Sequence, residues 1–203
     1  MKLLTLTAVT ALATGLVAPL LADDNAAMTA ALAELAQHQA EDAKIAEHLN
    51  TFDVLDFEVF SNQQWDRLHE SHADDVIVHW PDGRTTTGID VYIEDLKAFF
   101  VFAPDTKIET HPIRIGQGEW TGVVGEIKGT FTEPMPIGDG QFIQPTGNSY
   151  SLTMATIGHW TAAGNMSEEY LFWDNDSFYK QMACGTNCGL DTDPCPPRRR
   201  GGI

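Results

Sequence analysis

Four strand-like segments lie one after another in the second half of this 203-residue chain, and they limit its possible folds more than any other feature. Apolar and polar residues alternate along them, and glycine-rich or proline-rich turns separate them, as is typical of antiparallel strands. Before them, the pattern predicts helices over residues 45–61, 63–69 and 89–100 and one strand over residues 75–80. This order predicts an α+β fold, with helices packed on one face of a curved antiparallel sheet that encloses a pocket. The four segments are residues 107–115, 120–132, 149–160 and 166–174.

Glycines within the long strands favour the bending that a pocket needs, because a residue without a side chain lets a strand kink easily. They stand at positions 122, 125, 129 and 158. Between the second and third segments the chain is rich in proline and glycine, which predicts a stiff, turn-rich loop. We expect this loop to form a lip at the pocket.

The amino terminus has the pattern of a secretory signal peptide. Lys2 is followed by an apolar run that ends at Leu21, then by Ala22 and two acidic residues. A membrane anchor is the alternative, but threonines and Pro19 interrupt the run and no basic stop-transfer cluster follows it. We therefore predict a signal peptide over residues 1–22 and an exported protein, periplasmic or secreted, with no membrane association after cleavage.

Composition divides the rest of the chain into three parts. Residues 23–44 are rich in alanine with few large apolar side chains, which predicts a loose helical spacer. Residues 45–183 carry the core-forming pattern and form the predicted domain. Residues 184–203 form a tail rich in Cys, Pro and Arg that we expect to be disordered. Two of its three cysteines could pair in an oxidising compartment or the cysteines could remain free thiols, and their spacing matches no standard zinc pattern: Cys184, Cys188 and Cys195.

The charge balance excludes some partners. Acidic residues outnumber basic ones 29 to 12, which gives a net charge of −17. Such a field repels phosphate backbones and anionic lipid headgroups, so we expect no nucleic-acid partner. Solubility is the simplest explanation of the acidity.

The histidines are candidate site residues with competing explanations. His69 and His72 flank a Glu-Ser pair, one residue too short for the zinc-protease motif, and we expect both to be exposed to solvent. His79 and His159 each precede a tryptophan in a predicted strand, so each could line the pocket or be a satisfied structural histidine. No phosphate-binding loop or nucleophile elbow is recognisable in the sequence.

The last predicted strand carries a carboxylate, Asp174, at its end. Strand alternation places Asp174 on one face with Glu168, Tyr170 and Phe172. If this face lines the pocket, desolvation would raise the pKa of Asp174 and suit it to acid–base chemistry. The pattern alone favours the alternative, in which Asp174 caps the segment that begins at Asn175.

Several short motifs give the chain a resemblance to a known family. The most specific is the closing Glu-Glu-Tyr-Leu-Phe-Trp-Asp-Asn run with the Tyr-Lys-Gln-Met that follows it, and the second is a Pro-Thr-Gly loop. Together they resemble the SnoaL-like ester and polyketide cyclases of the nuclear transport factor 2 superfamily, over roughly residues 49–183. In chain order the motifs start at His79, Pro145, Met154, Glu168 and Tyr179.

The resemblance implies a cone-shaped α+β fold and a pocket enzyme without metal or organic cofactor. At the motif position of the family's acid–base aspartate stands Asp174, which would remove a proton from a carbon next to a carbonyl. The family's pocket histidine falls near Ile157, and His159, two residues later on the same face, could replace it. With His79 as a further candidate, the predicted catalytic set is Asp174, His159 and His79. The residues expected to contact the ligand are Trp80, Trp120, Met154, Tyr170 and Phe172.

Three functions remain open at this point. The first is a cofactor-independent cyclase, isomerase or lyase acting on a small hydrophobic carbonyl compound. The second is a non-catalytic binder of a small hydrophobic molecule in the same pocket, because a fold does not determine a function. The third is an interaction module that forms a homodimer and fills the pocket with its own side chains.

Overall fold

The computed structural model describes residues 18–137 and 139–184, with side chains described from residue 24 to residue 183. Most of the predicted signal peptide lies outside these residues. The predicted disordered tail, with Cys188 and Cys195, also lies outside them.

Three α-helices and nine strands are formed by the described residues. The helices are α1 (Ala18–Val54), α2 (Ile89–Phe102) and α3 (Asn175–Cys184). A π-helical segment (Leu55–Phe60) and a 3-10 segment (Trp65–Glu70) lie between α1 and the first strand. The strands are β1 (His72–His79), β2 (Thr85–Thr87), β3 (Lys107–Ile108), β4 (Ile113–Gln117), β5 (Trp120–Thr130), β6 (Met135–Pro136), β7 (Phe142–Ile143), β8 (Ser149–Trp160) and β9 (Met166–Phe172).

The chain divides into two compact units, residues 1–43 and residues 44–203. In the first unit, the described side chains from Asp24 to Ala43 are all exposed on helix α1. Alanine, glutamate and glutamine are strong helix formers, which accounts for a helix there without a buried face. Within residues 18–184, no helix combines the length and the apolar character needed to cross a membrane.

The second unit is built on one open, curved sheet. Its strand order is β2-β1-β9-β8-β5-β3, and β4 also pairs with β5. All neighbouring strands are antiparallel except β1 and β9, which pair in parallel so that His79 lies beside Tyr170. A separate hairpin of β6 and β7 interrupts the proline-rich loop. The parallel pairing of β1 with β9 joins the first strand of the chain to the last, which places residues almost a hundred positions apart side by side.

The core lies between one face of the sheet and the helical segments. Along β8 every second residue from Tyr150 to Trp160 is buried, as the alternating pattern predicts. Trp160 stacks on His48 of α1 with ring centroids 4.4 Å apart and meets the edge of Phe52. Leu55 of the π-helical segment belongs to the same core. The α+β class and the packing of helices on one sheet face are therefore confirmed.

Two elements differ from the predicted ones in ways that affect the site. The strand predicted over residues 107–115 is divided into β3 and β4, because the chain turns at His111 and Pro112 to point the histidine inward. The predicted helix over residues 45–61 changes to π-helical winding after Val54. Both Leu55 and Asp56 are buried by this segment.

Candidate functional site

A cavity lies between the inner face of the sheet and the helical segments of the second unit. Its cavity volume is about 30 Å³, and the 430 Å³ of empty space between its walls also counts open solvent at its mouth. Besides the indole N–H groups of two tryptophans, its lining carries the polar groups of Asp56, Tyr92, Thr156 and Glu169. Its walls are rich in aromatic rings, from Phe60, Trp80, Phe99 and Trp173. The cavity therefore combines a largely apolar wall with a few convergent polar groups, as small-molecule sites do.

Asp56 forms the first of two buried acid–histidine pairs. One ring nitrogen of His111, Nε2, lies 2.8 Å from Oδ2 of Asp56, and the other, Nδ1, lies 2.8 Å from Oδ1 of Asp53. Burial raises the pKa of Asp56; the hydrogen bond from His111 opposes this shift and the nearby Glu169 reinforces it. Burial alone lowers the pKa of His111, but its hydrogen bonds to Asp56 and Asp53 outweigh burial and raise that pKa.

Glu169 on β9 forms the second pair with His72 on β1. The Nε2 atom of His72 lies 3.3 Å from Oε2 of Glu169, and both side chains are almost fully buried. The Nδ1 atom of the same ring lies 2.9 Å from Oγ of Ser71. Tyr92 of α2 also shares a hydrogen bond with Glu169, and burial, reinforced by that carboxylate, raises the pKa of Tyr92 well above its usual value. The phenol of Tyr92 is therefore a hydrogen-bond donor at neutral pH.

Trp80 is held in the cavity wall by a polar cluster outside it. Its indole N–H donates to Oγ1 of Thr86 at 2.9 Å, and Thr86 in turn donates to Asp95 of α2. The guanidinium of Arg84 donates to Asp95 at 2.9 Å and lies 4.5 Å from the centre of the Trp80 ring. These contacts fix the ring by both an ordinary hydrogen bond and a cation–π contact.

Comparison with known proteins identifies the family. The family model for the SnoaL-like polyketide cyclases matches residues 52–182, which is well over half of the chain. This protein belongs to the SnoaL-like polyketide cyclase family. The match spans the cavity and the whole sheet. No curated protein matches the sequence.

Solved structures show the same fold at low sequence identity. A proposed SnoaL-like polyketide cyclase from Jannaschia sp. CCS1 is 15% identical, with a TM-score of 0.59 over 68% of this chain and 93% of that one. IdmH, a proposed polyketide cyclase from Streptomyces antibioticus, is 20% identical, with a TM-score of 0.56 over 66% of this chain and 96% of that one. AclR, a proposed hydroxylase from Streptomyces galilaeus, is 10% identical, with a TM-score of 0.53 over 75% of this chain and 86% of that one.

Asp174 lies at the surface of this family member, not in the cavity. Strand β9 ends at Phe172, and Asp174 is exposed just before α3. Its Oδ1 accepts hydrogen bonds from the backbone N–H groups of Asp176 at 2.9 Å and Ser177 at 3.2 Å. Asp174 thus has the geometry of a helix N-cap, and the expected pocket position is wrong because the opposite face of β9 is the one that turns inward.

Because the face of the sheet opposite the predicted one turns inward, most of the other predicted site residues lie on its outer face. His79 stacks on Tyr170 at 4.1 Å, and His159 stacks on Trp120 at 4.4 Å. Phe172 is 49% exposed on that face, and Trp120 is 42% exposed. These five residues do not line the cavity, contrary to the expectation from strand alternation. Trp80 and Met154 do line it, as expected.

The cavity's acid–histidine pairs were not identified from the sequence. His72 was expected to be exposed, but it is 1% exposed because β1 starts there and pairs with β9. Strand alternation puts Glu169 on the face of β9 opposite the one considered for the pocket, and no sequence motif points to Asp56 or His111. One signal was available for His111, because a histidine followed by proline interrupts an otherwise regular strand pattern. Among the described residues, no group of three or more His, Cys, Asp or Glu side chains could hold a metal ion.

Proposed function

We propose that this SnoaL-like family member is an acid–base enzyme that removes a proton from a carbon next to a carbonyl group. The reaction class is cyclisation or isomerisation through an enolate, and it needs only side-chain acids and bases. The observation that carries the proposal is the pair of buried carboxyls, Asp56 and Glu169, each hydrogen-bonded to an imidazole at the edge of an aromatic cavity. Burial raises the pKa of Asp56, and an acid perturbed in this way in a cleft is characteristic of functional sites.

Asp56 is the proposed base. Burial raises its pKa, and a carboxylate that binds a proton more tightly is a stronger base toward a carbon acid. The hydrogen bond to His111 restricts its orientation. The π-helical winding that begins at Leu55 buries this carboxyl, and such irregular turns are frequent at functional sites.

Tyr92 is the proposed donor to the enolate oxygen. The phenol has one proton, which it donates to Glu169 in the resting site and would turn toward the developing negative charge on the substrate oxygen. Glu169 orients this phenol, and His72 in turn is held between Glu169 and Ser71. Removing Glu169 should therefore disturb the donor as well as the charge of the cavity.

The lining also favours a class of substrate. Aromatic and aliphatic side chains together form most of the wall, and the polar groups that face the cavity include two carboxyls, a phenol and a hydroxyl but no cation. A substrate with a carboxylate or phosphate at this position would meet like charge, so a neutral, largely apolar carbonyl compound fits best. The predicted export implies that this compound is encountered outside the cytoplasm.

Binding without catalysis is the second candidate, because the aromatic wall would suit it equally. The two are separated by an exchange assay with 2-tetralone, a neutral bicyclic ketone whose protons next to the carbonyl are acidic. The wild-type protein should catalyse replacement of these protons by deuterium in D₂O, as followed by proton NMR. A pure binder would broaden the ketone resonances without accelerating exchange.

The matched variants for this assay are Asp56→Asn and Asp174→Asn. Asp56→Asn should lower the exchange rate by roughly 10²- to 10⁴-fold, the contribution usual for a general base. Asp174→Asn should leave the rate unchanged, because asparagine is also a good N-cap. A large loss in Asp174→Asn with full activity in Asp56→Asn would reject Asp56 and restore the prediction made from the family motif.

A further inference from the structure

His111 connects the cavity to the protein surface through two carboxyls. Its ring bonds Asp56 at Nε2 and Asp53 at Nδ1, both at 2.8 Å. The side chain of His111 is 1% exposed, that of Asp56 is 11% exposed and that of Asp53 is 29% exposed. The three groups thus form one line, with a cavity-lining carboxyl at one end and a solvent-accessible carboxyl at the other.

Local structure explains why this line is continuous. Asp53 and Asp56 are three residues apart, so helical winding places them on the same side of the chain. The interruption between β3 and β4 turns His111 toward them, and the ring of Phe57 lies 4.6 Å from the imidazole. The imidazole is therefore packed in place between its two partners.

We propose that Asp56, His111 and Asp53 form a proton relay that exchanges the proton taken from the substrate with bulk water. This inference rests on the proposed function, since Asp56 is the group that takes the proton. Asp53 would then be a positioning and relay residue, because it acts through His111 and does not touch the substrate.

The proton balance of the relay is simple. While Asp56 is ionised, His111 carries protons on both ring nitrogens and donates Nε2–H to Asp56 and Nδ1–H to Asp53. When Asp56 takes the substrate proton, the Nδ1 proton passes to Asp53 and Asp53 releases it to water, so one proton enters at the cavity and one leaves at the surface. An isomerisation or aldol closure then takes the proton of Asp56 into the product, and His111 regains its Nδ1 proton from water through Asp53, which restores the starting state.

Other charged groups act on the two ends of the relay. The guanidinium of Arg114 lies 3.3 Å from Oδ2 of Asp53 at the surface end. At the cavity end, Glu169 raises the pKa of Asp56 and His72 lowers it. Because burial raises the pKa of Asp56, the carboxyl at the cavity end holds a proton more readily than an ordinary carboxyl does.

The decisive variant is Asp53→Asn, which can still accept the Nδ1 hydrogen bond but cannot take the proton. In the 2-tetralone assay, exchange should fall at least about tenfold while ketone binding, measured by NMR titration, stays unchanged. Asp75→Asn removes an exposed carboxylate of β1 and is the matched control, with no loss expected. In Asp53→Ala, added formate should restore exchange in a concentration-dependent manner, a result that a purely structural role would not give.

A second readout separates the relay from the proposed function. The imidazole protons of His111 should exchange with water more slowly in Asp53→Asn than in the wild type, as measured by saturation transfer without any ketone. If wild-type exchange of 2-tetralone is normal and Asp53→Asn changes neither rate, the relay is wrong and the base assignment stands. If 2-tetralone is not turned over at all, the proposed function fails and the His111 exchange rates still decide the relay.

Discussion

The two faces of strand β9 carry similar residues and have opposite environments. Glu169 and Leu171 point into the core, and Trp173 follows them at the cavity, whereas Tyr170 and Phe172 point to solvent on the other face. Each face therefore presents aromatic and apolar side chains, and each begins with a glutamate. The difference teaches that alternation sets which residues share a face but not which face is inside.

The pairing of β9 with β8 determines which face of β9 is buried. Phe172 pairs with Ala155, and Leu171 pairs with Thr156, in the register between β9 and β8. In β8 the face that carries Trp160 is the buried one, because His48 and Phe52, in the part of α1 that belongs to the second unit, pack on it. The choice of face thus comes from contacts that are more than a hundred residues apart in sequence.

The largest expected contrast between the two faces is in stability. Leu171→Ala removes a side chain that is 5% exposed and should lower the free energy of unfolding by about 2–5 kcal/mol. Phe172→Ala, at the neighbouring position on the outer face, should cost about 1 kcal/mol or less. Urea titration followed by circular dichroism measures both. Equal losses would contradict the face assignment.

The pH dependence of stability should come from the inner site. The pKa values of Asp56 and His111 are both raised by folding, so each contributes stability that is present below its unfolded pKa and lost as the pH rises through the folded one. For His111 this window begins near pH 6.5. Unfolding free energy should therefore decrease above this pH in the wild type, and His111→Gln should flatten the decrease. His159→Gln, on the outer face, should leave the decrease of the unfolding free energy unchanged.

Capping by Asp174 predicts a smaller effect. Asp174→Ala removes the acceptor for two backbone N–H groups of α3 and should lower the free energy of unfolding by about 1 kcal/mol. Asp174→Asn should lower it by only a few tenths of that, about 0.3 kcal/mol or less. The same urea titrations measure this pair, and an identical loss in both variants would indicate a role for the charge itself.

Much of the fold was predictable because its signals are local. The period of apolar residues located α2 and placed β8 over residues 149–160, where the structure has it. The site was less predictable because its contacts are long-range. His72 and Glu169 are 97 residues apart, and His111 and Asp56 are 55 apart. No local pattern records that β1 pairs in parallel with β9, and this pairing is what buries His72.

The role of Asp174 is ambiguous in sequence for a related reason. The family motif places its closing aspartate at this position, next to the end of a strand, where a cap and a pocket residue look alike in sequence. Only the structure distinguishes them, through the two backbone hydrogen bonds that Asp174 accepts. This chain is only 15% and 20% identical to two of the solved relatives, so proteins with this fold can carry different residues at their sites.

The most direct test of the claim that chemistry belongs to the inner face compares two adjacent glutamates. Glu168 and Glu169 point to opposite faces of β9, and changing each to glutamine alters one charge without altering size. In the deuterium exchange of 2-tetralone, Glu169→Gln should lower the rate at least about tenfold, whereas Glu168→Gln should leave it unchanged. Loss of exchange in Glu168→Gln with normal exchange in Glu169→Gln would place the chemistry on the outer face and contradict the account.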